Sequence, residues 1–225
     1  MAPYLGDKAK VVFAAVLVGI VAMCLLTQGV WAAKEKVVVT ADKRVTIDFD
    51  ADVTVFEGNV KIAYSDVVIS ADRAEIKGRN TATITGNVKL VQQDITLEGK
   101  VLTAYISEKR VVVEDGVTLT KKEAAPGGKE DVVVTCGRME LDTNTRGFVA
   151  SGNVEMKRGD TLARGERATY TEKDKLAILE GSVFAKGKNG ETVNCARLLF
   201  RTDRDYIEAL DKVTLEFEVE EKQNP

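Results

Sequence analysis

The chain has 225 residues, of which 44% are hydrophobic and 30% charged, a composition typical of a folded globular protein. Its 32 lysines and arginines nearly balance its 35 aspartates and glutamates, so no basic surface of the kind that nucleic acids require is indicated. The absence of histidine removes the commonest general base and the commonest metal ligand. We therefore predict a protein that is not an enzyme, with no metal, no cofactor and no nucleic-acid partner.

The first predicted element is an apolar N-terminal segment. Lys8 and Lys10 precede an uncharged run from Val11 to Leu26, which small residues follow. This order is typical of a secretory signal peptide, which we place at residues 1–32 with cleavage after Ala32. The run has sixteen residues, fewer than the roughly 20 that a membrane-spanning helix needs. An uncleaved membrane anchor is the alternative, and both interpretations export the rest of the chain.

The chain after this segment alternates apolar and polar residues with period two. Val45 to Val55 is the longest such run, and we expect it to form one half-buried strand. No window after the N-terminal segment has the periodicity of an amphipathic helix. The sequence therefore predicts an all-β fold.

A short motif recurs along the chain at intervals of about 29 residues. Its first copy is Glu57-Gly58-Asn59-Val60-Lys61-Ile62, and the Gly-Asn pair indicates a hairpin or a bend. The motif valines are Val60, Val88, Val117, Val154, Val183 and, in a degenerate copy, Val213. The single long step, of 37 residues, contains a Gly-rich and Pro-containing stretch at 121–129, which we interpret as an inserted loop.

A second motif lies between these copies: a small residue, any residue, arginine and an apolar residue. Ala71-Asp72-Arg73-Ala74 is its first copy, and Arg138, Arg167 and Arg197 occupy the arginine position in later ones, whereas Val101 replaces it once. Across this motif the apolar residues of the alternation change between odd-numbered and even-numbered positions. This change indicates a bulge or corner in the strand, with a small residue where two backbones approach closely. We therefore predict stacked V-shaped strand pairs that form a long trough between two facing sheets.

Two sets of residues at the predicted corner allow two interpretations each. Cys136 and Cys195 could form a disulfide in an oxidising compartment, or could serve as small apolar fillers. Their separation by two repeats favours fillers, because strands stack about 4.8 Å apart. The arginines could bind lipid phosphates, or could form a solvated ladder with acids such as Asp72 and Glu166.

Together these motifs resemble the LptA/OstA family of lipopolysaccharide-transport proteins. Phe56-Glu57-Gly58-Asn59-Val60 and Ile69-Ser70-Ala71-Asp72 carry the resemblance, which extends from about Val37 to Val219. It implies an elongated β-jellyroll, a solenoid-like stack of V-shaped antiparallel strands, over residues 33–220. An N-terminal signal or anchor helix would precede this domain, and a flexible tail at 221–225 would follow it.

The resemblance also implies a function in the periplasm. Family members hold the acyl chains of lipid A, the lipid part of lipopolysaccharide, against the apolar interior of the jellyroll. The implied partners are an LptC-type protein at the inner membrane, an LptD-type protein at the outer membrane and further copies stacked end to end. Our candidate lipid-binding residues are the apolar side chains of the predicted interior: Val37, Val39, Ile47, Phe49, Val53, Val55, Val60, Ile62, Ile69, Ile84, Leu90, Leu97, Val134 and Met156.

Three other functions compete with this one. A purely structural solenoid would polymerise through its edges and carry no ligand. An uncleaved N-terminal segment would instead make the protein an LptC-like subunit anchored in the inner membrane. A polysaccharide-processing enzyme would need clustered carboxylates or aromatic residues on one face, and the sequence contains no such cluster.

Overall fold

The computed structural model describes residues 38–64, 67–78, 80–93, 95–122, 131–188, 190–201 and 206–217. The predicted signal or anchor helix, Val37, most of the inserted loop and the C-terminal tail lie outside these residues. Within these ranges, no helix has the length and apolar character needed to cross a membrane.

The described chain consists of fourteen strands joined by short turns, as the all-β prediction requires. The strands are β1 (Val38–Thr40), β2 (Arg44–Asp48), β3 (Val53–Tyr64), β4 (Val67–Lys77), β5 (Thr81–Gln92), β6 (Ile95–Tyr105), β7 (Arg110–Lys121), β8 (Val132–Asp142), β9 (Gly147–Arg158), β10 (Thr161–Thr171), β11 (Leu176–Lys186), β12 (Thr192–Arg201), β13 (Tyr206–Leu210) and β14 (Thr214–Glu216).

All strands belong to one antiparallel sheet in which each long strand pairs with the next one along the chain. β1 and β2 share one edge of β3, while β13 and β14 share one edge of β12. Each of these pairs of short strands therefore occupies a single position, and the sheet has twelve positions in sequence order. At about 4.8 Å per position, the stack is roughly 50 Å long.

The repeated motif forms a corner in the middle of each odd-numbered long strand, with Gly-Asn at the corner of β3, β5 and β9, Asp115-Gly116 in β7 and Gly181-Ser182 in β11. Gly58 and Asn59 have φ values of 83° and 45°, and the equivalent pair in β5, Gly86 and Asn87, has 77° and 49°. Two successive residues with left-handed φ values change the direction of the strand, and Gly and Asn tolerate this conformation best. The side-chain amide of Asn87 also donates a hydrogen bond to the Asp72 carboxylate at 2.9 Å. The motif is therefore a bend inside a strand, not a hairpin.

The small residue of the second motif lies directly opposite the motif valine. Val60 pairs with Ala71, and Val117 pairs with Cys136. The register shifts at this point in all pairings of the long strands, for example between Glu57 and Val60. The corner, the parity switch and the V shape predicted from the sequence are thus confirmed.

The corner divides each long strand into two segments, which lie in two different layers of the folded sheet. We call N-layer the part of the sheet that contains the start of β3 and C-layer the part that contains its end. Buried side chains of the N-layer, such as Ile84 and Leu102, join those of the C-layer, such as Ile69 and Leu97, in one apolar core. A single layer exposes both of its faces, so burial of these residues requires the two layers to face each other.

One element differs from the sequence prediction. The alternating run from 45 to 55 is not one strand, because a turn at residues 49–52 separates β2 from β3. The Asp48 carboxylate accepts hydrogen bonds from the backbone N–H groups of Asp50 and Ala51, and Asp52 has a φ of 51°. A side chain that bonds backbone groups two and three residues ahead stabilises such a turn. The turn folds β2 back onto β3 as a hairpin.

The apolar interior as the candidate functional site

The interior between the two layers is lined by apolar side chains along the whole stack. The buried residues of the described part of the chain are all hydrophobic, and none is polar or charged. Inward-facing residues near β4 to β6 are closely packed, with Ile69, Ile84 and Leu102 at 0–1% exposure. From β8 to β12 residues beside the corner are also closely packed, such as Met139 and Leu179 at 0% exposure. Further from the corner the wall is less complete, since Leu141, Phe148, Met156 and Phe200 are only partly buried against the core.

Six of the predicted lipid-binding residues lie in the closely packed core. They are Val60, Ile62, Ile69, Ile84, Leu97 and Val134, none of them more than 4% exposed. Contact between an acyl chain and these side chains requires the two layers to move apart, because the existing contacts fill the space. The sequence prediction placed these six side chains inside the fold, where the structure has them. It did not distinguish closely packed side chains from those that a ligand could reach.

Five other predicted residues face the interior or lie at its open end. Val39, Leu90 and Met156 are partly buried against the core. Ile47 faces inward from β2, opposite Thr54, and is 42% exposed because β2 is at the edge of the stack. Phe49 lies in the turn after β2 and is 72% exposed.

The predicted positions of Val53 and Val55 in the interior are wrong. Val53 pairs with Lys77 and Val55 pairs with Glu75, whereas the neighbouring Phe56 faces the buried Ala74. Both valines therefore lie on the outer face. The turn at 49–52 shifts the parity between β2 and β3, so residues that look like one stripe in the sequence lie on opposite faces.

Apolar side chains that the sequence prediction missed are exposed at both ends of the stack. Val45 faces inward at the N-terminal end, while Ile207, Leu215 and Phe217 lie at the C-terminal end. All four are 49–66% exposed, since no described strand lies beyond either end of the stack. The degenerate motif copy at Val213 indicated a further repeat but not that its strands form an edge of the sheet.

The arginines of the second motif lie on the outer face, away from the apolar interior. Arg73 forms an ion pair with Glu75 at 2.7 Å, Arg197 with Asp211 at 2.9 Å, and Arg138 with both Glu114 and Glu140. These ion pairs agree with the interpretation of the arginines as a ladder of ion pairs. The partner acids are, however, not the predicted Asp72 and Glu166. This arrangement leaves these arginines on the opposite side of the sheet from any lipid in the interior.

Arg44 belongs to the same ladder and was missed in the sequence. Its guanidinium forms an ion pair with Glu57 at 2.7 Å, in the same relation that Arg138 has to Glu114. The sequence did contain a signal for Arg44, because this residue precedes Arg73 by 29 residues, the length of one repeat.

Cys136 and Cys195 are free and buried. They lie on β8 and β12, four positions apart, which is roughly 19 Å at the usual strand spacing. The filler interpretation is therefore confirmed. Burial raises the pKa of both thiols and so disfavours the reactive thiolate.

Charged groups at the free rim of the N-layer neutralise one another. The Tyr170 hydroxyl donates a hydrogen bond to Glu172 at 2.5 Å, and the Lys175 ammonium forms an ion pair with the same carboxylate. These bonds, that of Lys175 foremost, lower the pKa of Glu172, and the positive charge of Arg146 acts in the same direction. Among the described residues, no group of three or more side chains could hold a metal ion.

The fold and this interior define the class: a two-layered β-jellyroll with an apolar core and exposed apolar side chains at both ends. A sequence comparison of families matches residues 69–206, from β4 to the start of β13, to the LptA/(LptD N-terminal domain) LPS transport protein family. This match covers more than half of the chain, which therefore belongs to that family. No curated protein sequence matches the chain.

Among solved structures, the chain is similar to LptH from Pseudomonas aeruginosa, described as the LptA homologous periplasmic component of the conserved lipopolysaccharide transport device. The two chains share 10% sequence identity, with a TM-score of 0.32. The similarity covers 83% of this chain and 97% of that structure.

Proposed function

We propose that the protein carries lipopolysaccharide through the periplasm, with the lipid acyl chains on the apolar interior of the jellyroll. The observation that carries this proposal is an uninterrupted apolar interior that ends in exposed inward-facing side chains, in a member of an LPS transport family. Each methylene that leaves water contributes about 0.8 kcal/mol, so a multi-chain lipid gains enough to bind such a surface.

The partly buried section from β8 to β12 is where we place the first contact with the acyl chains. Several inward positions there carry alanine, including Ala150, Ala163 and Ala168. Small side chains leave Met156 and Phe148 without complete cover, and such a surface can accept an apolar chain with little rearrangement. The closely packed section from β4 to β6 would have to open before lipid passes.

Photo-crosslinking in the native host tests this function with a matched pair of positions. Ile47 faces the interior, and Val53, which lies beside it on the adjoining strand, faces outward. We expect a photo-reactive residue at position 47 or 156 to crosslink to lipopolysaccharide and one at position 53 to give no product. Equal yields at the inward and outward positions would contradict the proposed site, and no product at any inward position would favour a purely structural solenoid.

We further propose that both ends of the stack bind like-shaped jellyroll partners: a second copy, an LptC-type protein or an LptD-type protein. Edge strands with free backbone groups and exposed apolar residues favour strand addition. The chain at β1 and β2 runs from the C-layer to the N-layer, whereas at β13 and β14 it runs from the N-layer to the C-layer. A second copy added end to end therefore continues the antiparallel alternation.

A lysine at an edge tests the end-to-end contact. Val45→Lys places a charge on the N-terminal edge, and Val68→Lys is the control because Val68 is similarly exposed (45%) on the outer face. Sedimentation should show loss of oligomers for the first variant and none for the second. Oligomers that persist in Val45→Lys would contradict an end-to-end contact.

The same proposal includes the cell compartment and the limits of the domain. An export signal at residues 1–32, a carrier domain at 33–220 and a tail at 221–225 are consistent with the strands, which run from Val38 to Glu216. The N-terminal sequence of the protein purified from the periplasm tests the cleavage after Ala32. Recovery of the uncleaved chain in the inner membrane would instead indicate the anchored, LptC-like form.

A further inference from the structure

Two cations lie at the free rim of the C-layer on its inward face. Lys121 ends β7 and Arg158 ends β9, and Val132 of β8 pairs directly with both. Val132 is packed against the apolar core, so the three residues share its inward-facing row. Two strand spacings separate the backbones of Lys121 and Arg158, roughly 10 Å, and both side chains are exposed.

The side chains become more polar from the core to this rim. Val134 is buried, while Leu119 and Met156, which pair with it, are partly buried against the core. Lys121 and Arg158 follow two residues further along the same strands, about 7 Å nearer the rim. An amphiphile with acyl chains inside and an anionic group at the rim matches this order.

The charge of these two residues is not neutralised by other described residues. Neither forms an ion pair or a hydrogen bond with them, although the acids Asp131 and Asp160 are close in sequence and exposed. The other described residues of the row, from β4 to β10, are uncharged: Val67, Gln92, Ile95, Val132 and Thr161. By contrast, Glu172 neutralises Lys175 at the rim of the N-layer.

We propose that Lys121 and Arg158 bind a phosphate group of the lipid whose acyl chains occupy the interior. The proposal rests on the proposed function and adds a determinant of substrate specificity. Guanidinium and ammonium groups are the two side chains that pair with phosphate most strongly, arginine through two parallel hydrogen bonds. An exposed pair at the rim can capture the head group while the apolar wall holds the chains.

The outer face supplies a matched control. Lys157 and Lys186 flank Leu162 on β9, β10 and β11, as Lys121 and Arg158 flank Val132, but they face outward. The test variant is Lys121→Gln/Arg158→Gln, and the control variant is Lys157→Gln/Lys186→Gln. Both remove two positive charges from the full mature chain.

Binding is measured by calorimetry with detergent-dispersed lipid A in its phosphorylated form and in a phosphate-free form, and separately with inorganic phosphate. We expect the test variant to bind phosphorylated lipid A about tenfold more weakly than the wild type, and the phosphate-free form within twofold of it. The control variant should resemble the wild type with both lipids. Unchanged thermal midpoints, and retained affinity in Lys121→Arg, would show that charge and not folding causes the loss.

The outcomes separate this proposal from the carrier function. Equal losses of affinity for both lipid forms, or equal losses in the test and control variants, would overturn the phosphate site and leave the carrier function intact. Binding of inorganic phosphate alone at these residues, without discrimination between the two lipids, would overturn a lipid head-group site. If the wild type binds neither lipid form, the carrier function itself fails.

Discussion

The corner glycines offer a sharp test of how the V shape is maintained. Gly86 and Gly116 have nearly the same left-handed φ, 77° and 75°, but different surroundings. A Cβ at position 86 would lie 2.8 Å from the Asp72 Cβ, whereas one at position 116 would have no atom within 4 Å. Substitution by alanine therefore measures the backbone penalty alone at 116, and that penalty plus a steric clash at 86.

The expected losses follow from these two terms. A left-handed conformation costs a non-glycine residue about 1–2 kcal/mol, so Gly116→Ala should lower the free energy of unfolding by about 1–2 kcal/mol. The clash with Asp72 adds about 1–3 kcal/mol, so Gly86→Ala should lose about 2–5 kcal/mol in total. The Asp72 side chain cannot avoid the clash by rotating its carboxylate, because its Cβ is itself within 3 Å.

The assay is urea unfolding followed by far-ultraviolet circular dichroism, with Asp72→Gly, which removes the clashing Cβ, and the double variant Gly86→Ala/Asp72→Gly completing a mutant cycle. Removal of the Asp72 side chain should recover the steric part, so the double variant should be more stable than the sum of the single losses predicts. Gly116→Asn should be milder than Gly116→Ala, because asparagine tolerates the left-handed region. Equal losses in the two alanine variants, with no coupling to Asp72, would refute this explanation of the corner.

Three further predictions concern the core, the thiols and pH. Leu102→Ala, at a fully buried position, should lower the free energy of unfolding by about 2–5 kcal/mol in the same urea assay. Cys136 and Cys195 should react with a maleimide at neutral pH far more slowly in the folded protein than in urea, because burial raises the pKa of both. The Glu172 carboxylate, whose pKa is lowered first by Lys175, should stabilise the fold above the pKa it has in the unfolded chain, about 4.3, and lose this effect as the pH falls through its folded value.

Each of these predictions has a control. Thr103→Ala, next to Leu102 but facing outward, should change stability by much less than the core substitution. Rapid labelling of both thiols in the folded protein would contradict their placement at the buried corner. Glu172→Gln should be less stable than the wild type at pH 7 and equal to it near pH 2, and a difference that persists at low pH would exclude the ionised carboxylate as its cause.

The sequence repeat predicted most of the fold because each structural feature recurs at a fixed place in it. The Gly-Asn pairs and the parity switch around Ala71 and Cys136 were sufficient to predict the corner and the stacked V-shaped strands. The turn at 49–52 was missed because it depends on the Asp48 side chain and interrupts an alternation that continues across it. Because the alternation continues across the turn, the sequence predicted that Val53 faces inward, whereas it faces outward.

The accessibility of the interior could not be predicted in the same way. Ile62 and Met156 have the same position in the repeat, two residues after the motif valine, yet Ile62 is closely packed and Met156 is only partly buried. The difference depends on which side chains face each other across the two layers, and contacts between layers leave no periodic signal. The acids that pair with Arg73 and Arg138 were missed for a related reason, because side-chain rotamers decide between several carboxylates within reach.

The alternating direction of the V-shaped strands limits how such a protein can change its length. Loss of one V-shaped strand would reverse the direction in which the chain crosses the final edge, so that a partner would meet a parallel strand. Loss of two, about one sequence repeat, would preserve the direction and shorten the stack by roughly 10 Å. Homologues of different lengths should therefore differ by whole repeats, and the distance that one molecule spans should vary in steps of that size.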